Sequence, residues 1–141
     1  DCRIEDFDRA GLDLRAAATW TASHLRSALP VSDLVLRFEN GALADAAARA
    51  GVIAVPLRAD DPAALAKWAA SVGAVQIVTP YVTRGPLFDW LEEAAPGLAR
   101  HNISLCEWQR DWDAAIWPYA TAGFFKVKQN IPQILDRVLP R

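Results

Sequence analysis

The sequence predicts an α/β fold, a short and mostly parallel sheet flanked by helices in three layers. Three observations carry this. Short β-prone runs alternate with segments of helical spacing, and strands separated by helices of this length pair in parallel with right-handed crossovers. The run Val52-Ile53-Ala54-Val55-Pro56-Leu57 is nearly all apolar, as expected of a strand covered on both faces. Glycine or proline marks most junctions, at Pro30, Gly51, Gly73 and Pro80.

In chain order, residues 1–11 read as an irregular, polar lead-in. From Leu12 to Leu29, the apolar residues Leu14, Ala17, Ala18, Trp20, Leu25 and Leu29 recur at roughly helical spacing. This predicts an amphipathic helix with Asp13 near its start and Pro30 as its stop. Leu34-Val35-Leu36-Arg37-Phe38 predicts the first strand, Glu39-Asn40-Gly41 a turn, and Ala42 to Ala50 an Ala-rich helix ended by Gly51. Val52 to Leu57 is the second strand. Asp60-Asp61 before Pro62 gives a carboxylate cap with proline in the first turn, and the helix that follows ends at Gly73.

Val75 to Val78 is the third strand, closed by Thr79-Pro80. A helix from Pro86 to Arg100 follows, kinked or interrupted at Pro96-Gly97, and then a fourth strand, Ile103 to Trp108. Two helical pieces complete the chain from Asp111 to Arg141, with Pro118 and Gly123 between them and Pro132 inside the second. This is a Rossmann-like, doubly wound pattern, drawn as one domain over residues 12–141.

The bulk properties narrow the function classes. A formal net charge of −2 argues against a dedicated nucleic-acid-binding domain, which carries a basic excess. Cys2 and Cys106 form no C-x-x-C pattern, and with two histidines no metal-ligand spacing can be drawn. There is no long apolar run and no signal-peptide pattern. Reduced thiols in the cytoplasm are the simplest reading. The chain opens at Asp1 without Met, which suggests a fragment of a longer polypeptide.

In open α/β sheets, ligands bind beyond the carboxyl ends of the strands. The first such loop has a single glycine, Gly41, where a dinucleotide fingerprint needs several, so NAD binding is not supported. Asp60 and Asp61 read as helix caps rather than as a catalytic pair. Thr79-Pro80-Tyr81-Val82-Thr83-Arg84-Gly85-Pro86 gathers two hydroxyls, a phenol, an arginine and a helix N-terminus. It is either a polar loop or a seat for an anion or a planar ligand. Glu107-Trp108-Gln109-Arg110-Asp111-Trp112-Asp113 offers a helix cap with an ion pair, or an aromatic stacking surface. His24 and His101 lack any nucleophile context and read as structural. Lys126 and Lys128 read as solvated surface.

These segments resemble the α/β domain of the DNA photolyase and cryptochrome family, over Ser32 to Leu135. Leu34 to Phe38 with Glu39-Asn40-Gly41-Ala42-Leu43 looks like that domain's first strand and acidic-Asn-x-Ala-Leu helix start. Val52 to Leu57 resembles its second strand, and Gly73-Ala74-Val75-Gln76-Ile77-Val78 a Gly-Ala-x-x-Val strand start. Thr79 to Pro86, Arg110 to Pro118 and Gly123-Phe124-Phe125-Lys126 resemble a bacterial branch of photolyase-like, FAD-domain-containing proteins, in which the α/β region follows the flavin domain.

Two departures stand out. The arginine-rich loop between the first strand and the acidic-Asn helix is missing, because Arg37 runs almost straight into Glu39. The large helical domain that binds FAD is absent from these residues.

The resemblance implies the non-catalytic domain of a light-driven DNA-repair flavoprotein. FAD would lie in a helical partner domain of the same polypeptide, DNA would be met only through that parent, and an antenna pigment would sit in the α/β crevice. The candidate cofactor-binding set is Arg37, Asn40, Thr79, Tyr81, Thr83, Arg84, Trp108 and Arg110, with no catalytic and no metal-ligating residue. Two other readings are a chromophore-free interaction or light-signalling module of cryptochrome type, favoured by the shortened first loop, and an unrelated nucleotide-binding α/β domain.

Overall fold

The computed structural model describes residue 4 and residues 7–139. The chain alternates strands and helices as the α/β reading requires: β1 (Ala17–Thr21), α1 (Asp33–Arg49), β2 (Ala54–Arg58), α2 (Ala63–Ser71), β3 (Gln76–Pro80), α3 (Pro86–Arg100), β4 (Ser104–Trp108), α4 (Asp111–Ile116) and α5 (Phe124–Val138). Short 3-10 turns lie at Ser23–Arg26 and Trp117–Tyr119. The four strands form two parallel pairs. Ala17 to Thr21 of β1 face Ala54 to Arg58 of β2, and Gln76 to Pro80 of β3 face Ser104 to Trp108 of β4.

The first third of the chain differs from the sequence expectation. Leu12 to Leu29 does not form a helix. It contains β1 and the turn Ser23–Arg26, because Thr19-Trp20-Thr21 is β-prone and the segment finds a pairing partner in β2. Leu34 to Phe38 is not a strand but the opening turns of α1. The Ser32 hydroxyl accepts from the Val35 amide at 3.5 Å, and the Leu36 amide donates to the Ser32 carbonyl at 3.1 Å, so an N-cap begins the helix here.

Glu39-Asn40-Gly41 is therefore no turn. It lies inside a single 17-residue helix, where the Asn40 side-chain amide donates to the Leu36 carbonyl one turn back. Gly51, with φ 65°, ends that helix as expected of a glycine past the C-cap.

A connection of eleven residues joins β1 to α1. Residues 22–32 separate β1 from the helix that carries Glu39 and Asn40, and they include His24 and Arg26.

From β2 onward the elements follow the sequence. The Asp61 carboxylate accepts from the Ala63 amide at 2.9 Å, so the Asp-Asp-Pro cap is in place, and Gly73 (φ 67°) ends α2. α3 runs unbroken through Pro96. β2 departs in one respect: it is not covered on both faces, since Val55 is 47% exposed.

The core gathers Ala59, Leu65, Ala66 and Ala69 with Trp90, Ala94, Leu98 and Ile103. Trp20, Leu25, Ile77 and Leu105 pack against them. Side chains from both strand pairs thus share one apolar cluster built mainly on α2 and α3. α1 contributes little, burying only Ala46.

The expected single domain, 12–141, divides into two compact units, Asp1–Trp108 and Gln109–Arg141. In the second, α4 packs on α5 and on the Trp117–Tyr119 turn, with Ala115 and Ile134 buried. Among the described residues, no helix is long and apolar enough to cross a membrane.

Candidate ligand sites at the strand ends

The carboxyl ends of β1 and β2 carry a dense polar cluster. As the chain leaves β1, the Glu39 carboxylate, presented by α1, accepts from the Ala22 amide at 2.9 Å and the Ser23 amide at 3.1 Å. It also accepts from the buried Ser23 hydroxyl at 2.6 Å. Burial alone would push the Glu39 carboxyl up. The Ser23 hydroxyl, the two amides and the nearby Arg26 charge outweigh that and hold it below its ordinary value.

On the other side of the turn, His24 Nε2 lies 3.1 Å from the Ala59 carbonyl oxygen and 3.2 Å from Asp60 Oδ1. Both neighbours are acceptors, so Nε2 carries the hydrogen. Arg58 Nε donates to the same Asp60 oxygen at 2.8 Å.

This geometry has a chemical consequence. The Ser23 hydroxyl donates its hydrogen bond to a carboxylate, and the neighbouring imidazole uses Nε2 as a donor. Serine and histidine therefore do not form a nucleophile–base pair, which needs an imidazole nitrogen accepting from the hydroxyl. The cluster fixes the turn after β1 between α1 and the β2–α2 loop.

The carboxyl ends of β3 and β4 bring together most of the sequence-predicted residues. The Tyr81 amide donates to the Trp108 carbonyl at 2.8 Å, and the Val82 amide donates to the Glu107 carboxylate at 3.0 Å. The loop after β3 is thereby tied to the end of β4. Gly85 (φ 150°) turns the chain into α3, and the Arg84 guanidinium lies 5.4 Å from the centre of the Phe88 ring, within cation–π range. Thr79 is half-buried at the end of β3, and Thr83 is exposed in the loop. The Trp108 ring meets Phe7 with centroids 5.2 Å apart and planes tilted by 58°.

The other predicted residues lie elsewhere. Arg37 and Asn40 sit on the exposed surface of α1, each directed to a carbonyl one turn back in the same helix. Glu39, between them, is the residue that reaches a strand end. Arg110 belongs to the second unit, where Nε meets the Asp113 carboxylate at 2.6 Å, the ion-pair alternative of the sequence reading.

That unit also has an open hollow of about 450 Å³ lined by Asp111, Ala114, Ala115, Arg137 and Val138, none of them in the predicted set. Among the described residues, no group of three or more His, Cys, Asp or Glu could hold a metal ion. No family model matches the chain, and no curated protein or solved structure does so either.

Proposed function

We propose that the chain is the non-catalytic α/β part of a cytoplasmic, photolyase-like flavoprotein. It docks on a helical FAD-binding domain of the same polypeptide, which repairs DNA by light-driven electron transfer. The observation that carries this reading is the placement of its most distinctive block. Thr79 to Pro86 forms the exit of β3 and the start of α3, tied to β4 through Trp108 and Glu107. That is the strand-end position at which α/β folds bind ligands, and it is the seat proposed for an antenna pigment.

A second reading, a pigment-free interaction module, is favoured by one observation: the Trp108 ring already packs against Phe7. The two separate on one measurement. The polypeptide that contains this chain is purified as encoded, and its visible and near-ultraviolet absorbance is recorded. Flavin with a second chromophore band supports the antenna role, and flavin alone supports the docking module. A polypeptide without flavin, or an isolated chain that binds ATP or NAD, sinks both in favour of an unrelated nucleotide-binding domain.

A further inference from the structure

Asn40 is followed by Gly41, whereas the other two asparagines, Asn102 and Asn130, precede Ile103 and Ile131. The difference is chemical, because glycine has no side chain to shield its own amide nitrogen. That nitrogen can attack the asparagine Cγ. A C–N bond forms, the Cγ–Nδ2 bond breaks, and ammonia leaves with the proton the glycine nitrogen gives up. Water then opens the cyclic imide at either carbonyl. The products are aspartate and isoaspartate, and isoaspartate carries one extra methylene in the main chain.

In the fold this attack is blocked twice. Inside α1 the Gly41 amide is turned toward the carbonyl four residues back. The Asn40 side-chain amide is drawn the same way, donating to the Leu36 carbonyl at 2.9 Å. Cγ and the Gly41 nitrogen meet only when this stretch of helix opens. α1 is suited to opening: of its 17 residues only Ala46 is buried, and Leu34 and Phe38 are 71% and 78% exposed. Segments with few buried apolar contacts open locally, without global unfolding. What resists opening beside the Asn-Gly step is the Glu39 carboxylate, held by Ala22 and Ser23.

We infer that Asn40–Gly41 is a site of spontaneous deamidation gated by local opening of α1, and that its isoaspartyl product frees Glu39 from the turn after β1. Opening is reversible and the covalent step is not. An extra methylene directly after Glu39 puts the residues on its two sides out of helical register, so α1 cannot close as before. Asn130 makes the same bond to a carbonyl one turn back, that of Lys126 at 2.8 Å, but the β-branched Ile131 crowds the nitrogen that would attack.

The test incubates the 141-residue chain at mildly alkaline pH, folded and in concentrated urea, and follows deamidation by peptide mass spectrometry. In concentrated urea, Asn40 should convert several-fold faster than Asn102 and Asn130. In the folded chain its conversion should be measurable but several-fold slower, and urea below the unfolding transition should leave that rate unchanged. Glu39→Gln weakens the tie without altering the Asn-Gly step. It should speed conversion several-fold in the folded chain and leave the rate in concentrated urea as it was. Chain carrying isoaspartate at position 40, separated by chromatography, should unfold at lower urea than unreacted chain. Equal rates folded and unfolded, no conversion of the folded chain, or no preference for Asn40 in urea overturns the inference. So does a folded rate that climbs with low urea, a Glu39→Gln rate equal to wild type, or a product with an unshifted urea midpoint.

Discussion

The Glu39 carboxylate takes three hydrogen bonds from two consecutive residues, Ala22 and Ser23, and so joins α1 to the turn after β1. Hydrogen bonds to a charged acceptor contribute more than neutral ones, but partial exposure of Glu39 lowers that figure. Glu39→Gln should therefore lower stability by about 1 to 2 kcal/mol at neutral pH, read as a shift in the urea midpoint. The pH dependence has a definite sign. The carboxyl is held below its ordinary value in the fold, so its stabilisation is complete above the unfolded carboxyl pKa, about 4.3. It is lost as pH falls through the lower folded value. The gap between wild type and Glu39→Gln should be full at pH 7 and shrink as pH falls below the unfolded carboxyl value, and a gap that stays constant across the acid range would refute the ionic account. No sequence pattern announces this contact, because its partners lie 16 and 17 residues apart and meet only when α1 folds back against β1 and the turn after it. Arg37 and Asn40 looked like functional neighbours because an expected strand end and turn held them. In a helix they point to their own backbone.

At the scale of elements, α2, β3, α3 and β4 were legible because each is punctuated. Asp61-Pro62 opens α2, Gly73 closes it, and Gly85-Pro86 opens α3. The segment from Leu12 to Phe38 was not, for two physical reasons. A short apolar run such as Leu34 to Leu36 has no period long enough to tell a strand from a helix. The two alanines at the start of β1 suit a helix by propensity, and pairing with β2 overrides them. Gly41 gives a direct test of the reassignment. It lies within α1 without a positive φ, and an added Cβ would meet nothing within 4 Å. Gly41→Ala should then stabilise the protein by about 0.5 to 1 kcal/mol. Gly51→Ala, at φ 65°, should destabilise it by about 1 kcal/mol. Thermal melts of the two variants should move in opposite directions. A Gly41→Ala variant that melts earlier than wild type would favour a turn at Glu39-Asn40-Gly41.

For the whole molecule, the buried cluster from Ala59 to Ile103 lies entirely within the first unit. Residues 1–108 produced alone should keep their strand and helix content by circular dichroism and a cooperative melt. A molten, non-cooperative 1–108 would show that the last helices complete the core. One further property follows from the register of β2. Pro56 stands opposite Thr19 in the β1–β2 pair, and among the described residues no strand pairs with the other side of β2. Ile53, just before β2, is 98% exposed and Val55 within it 47% exposed, so apolar side chains stand beside this unpaired strand edge. Proline lacks an amide hydrogen, which leaves a gap in the row of donors that another chain's strand would need. Pro56→Val should fold to the same structure yet scatter light sooner on concentration or mild heating, and equal turbidity onset in the two proteins would remove this role. The same proline that ordinarily weakens a strand would here keep copies of the molecule from zipping together.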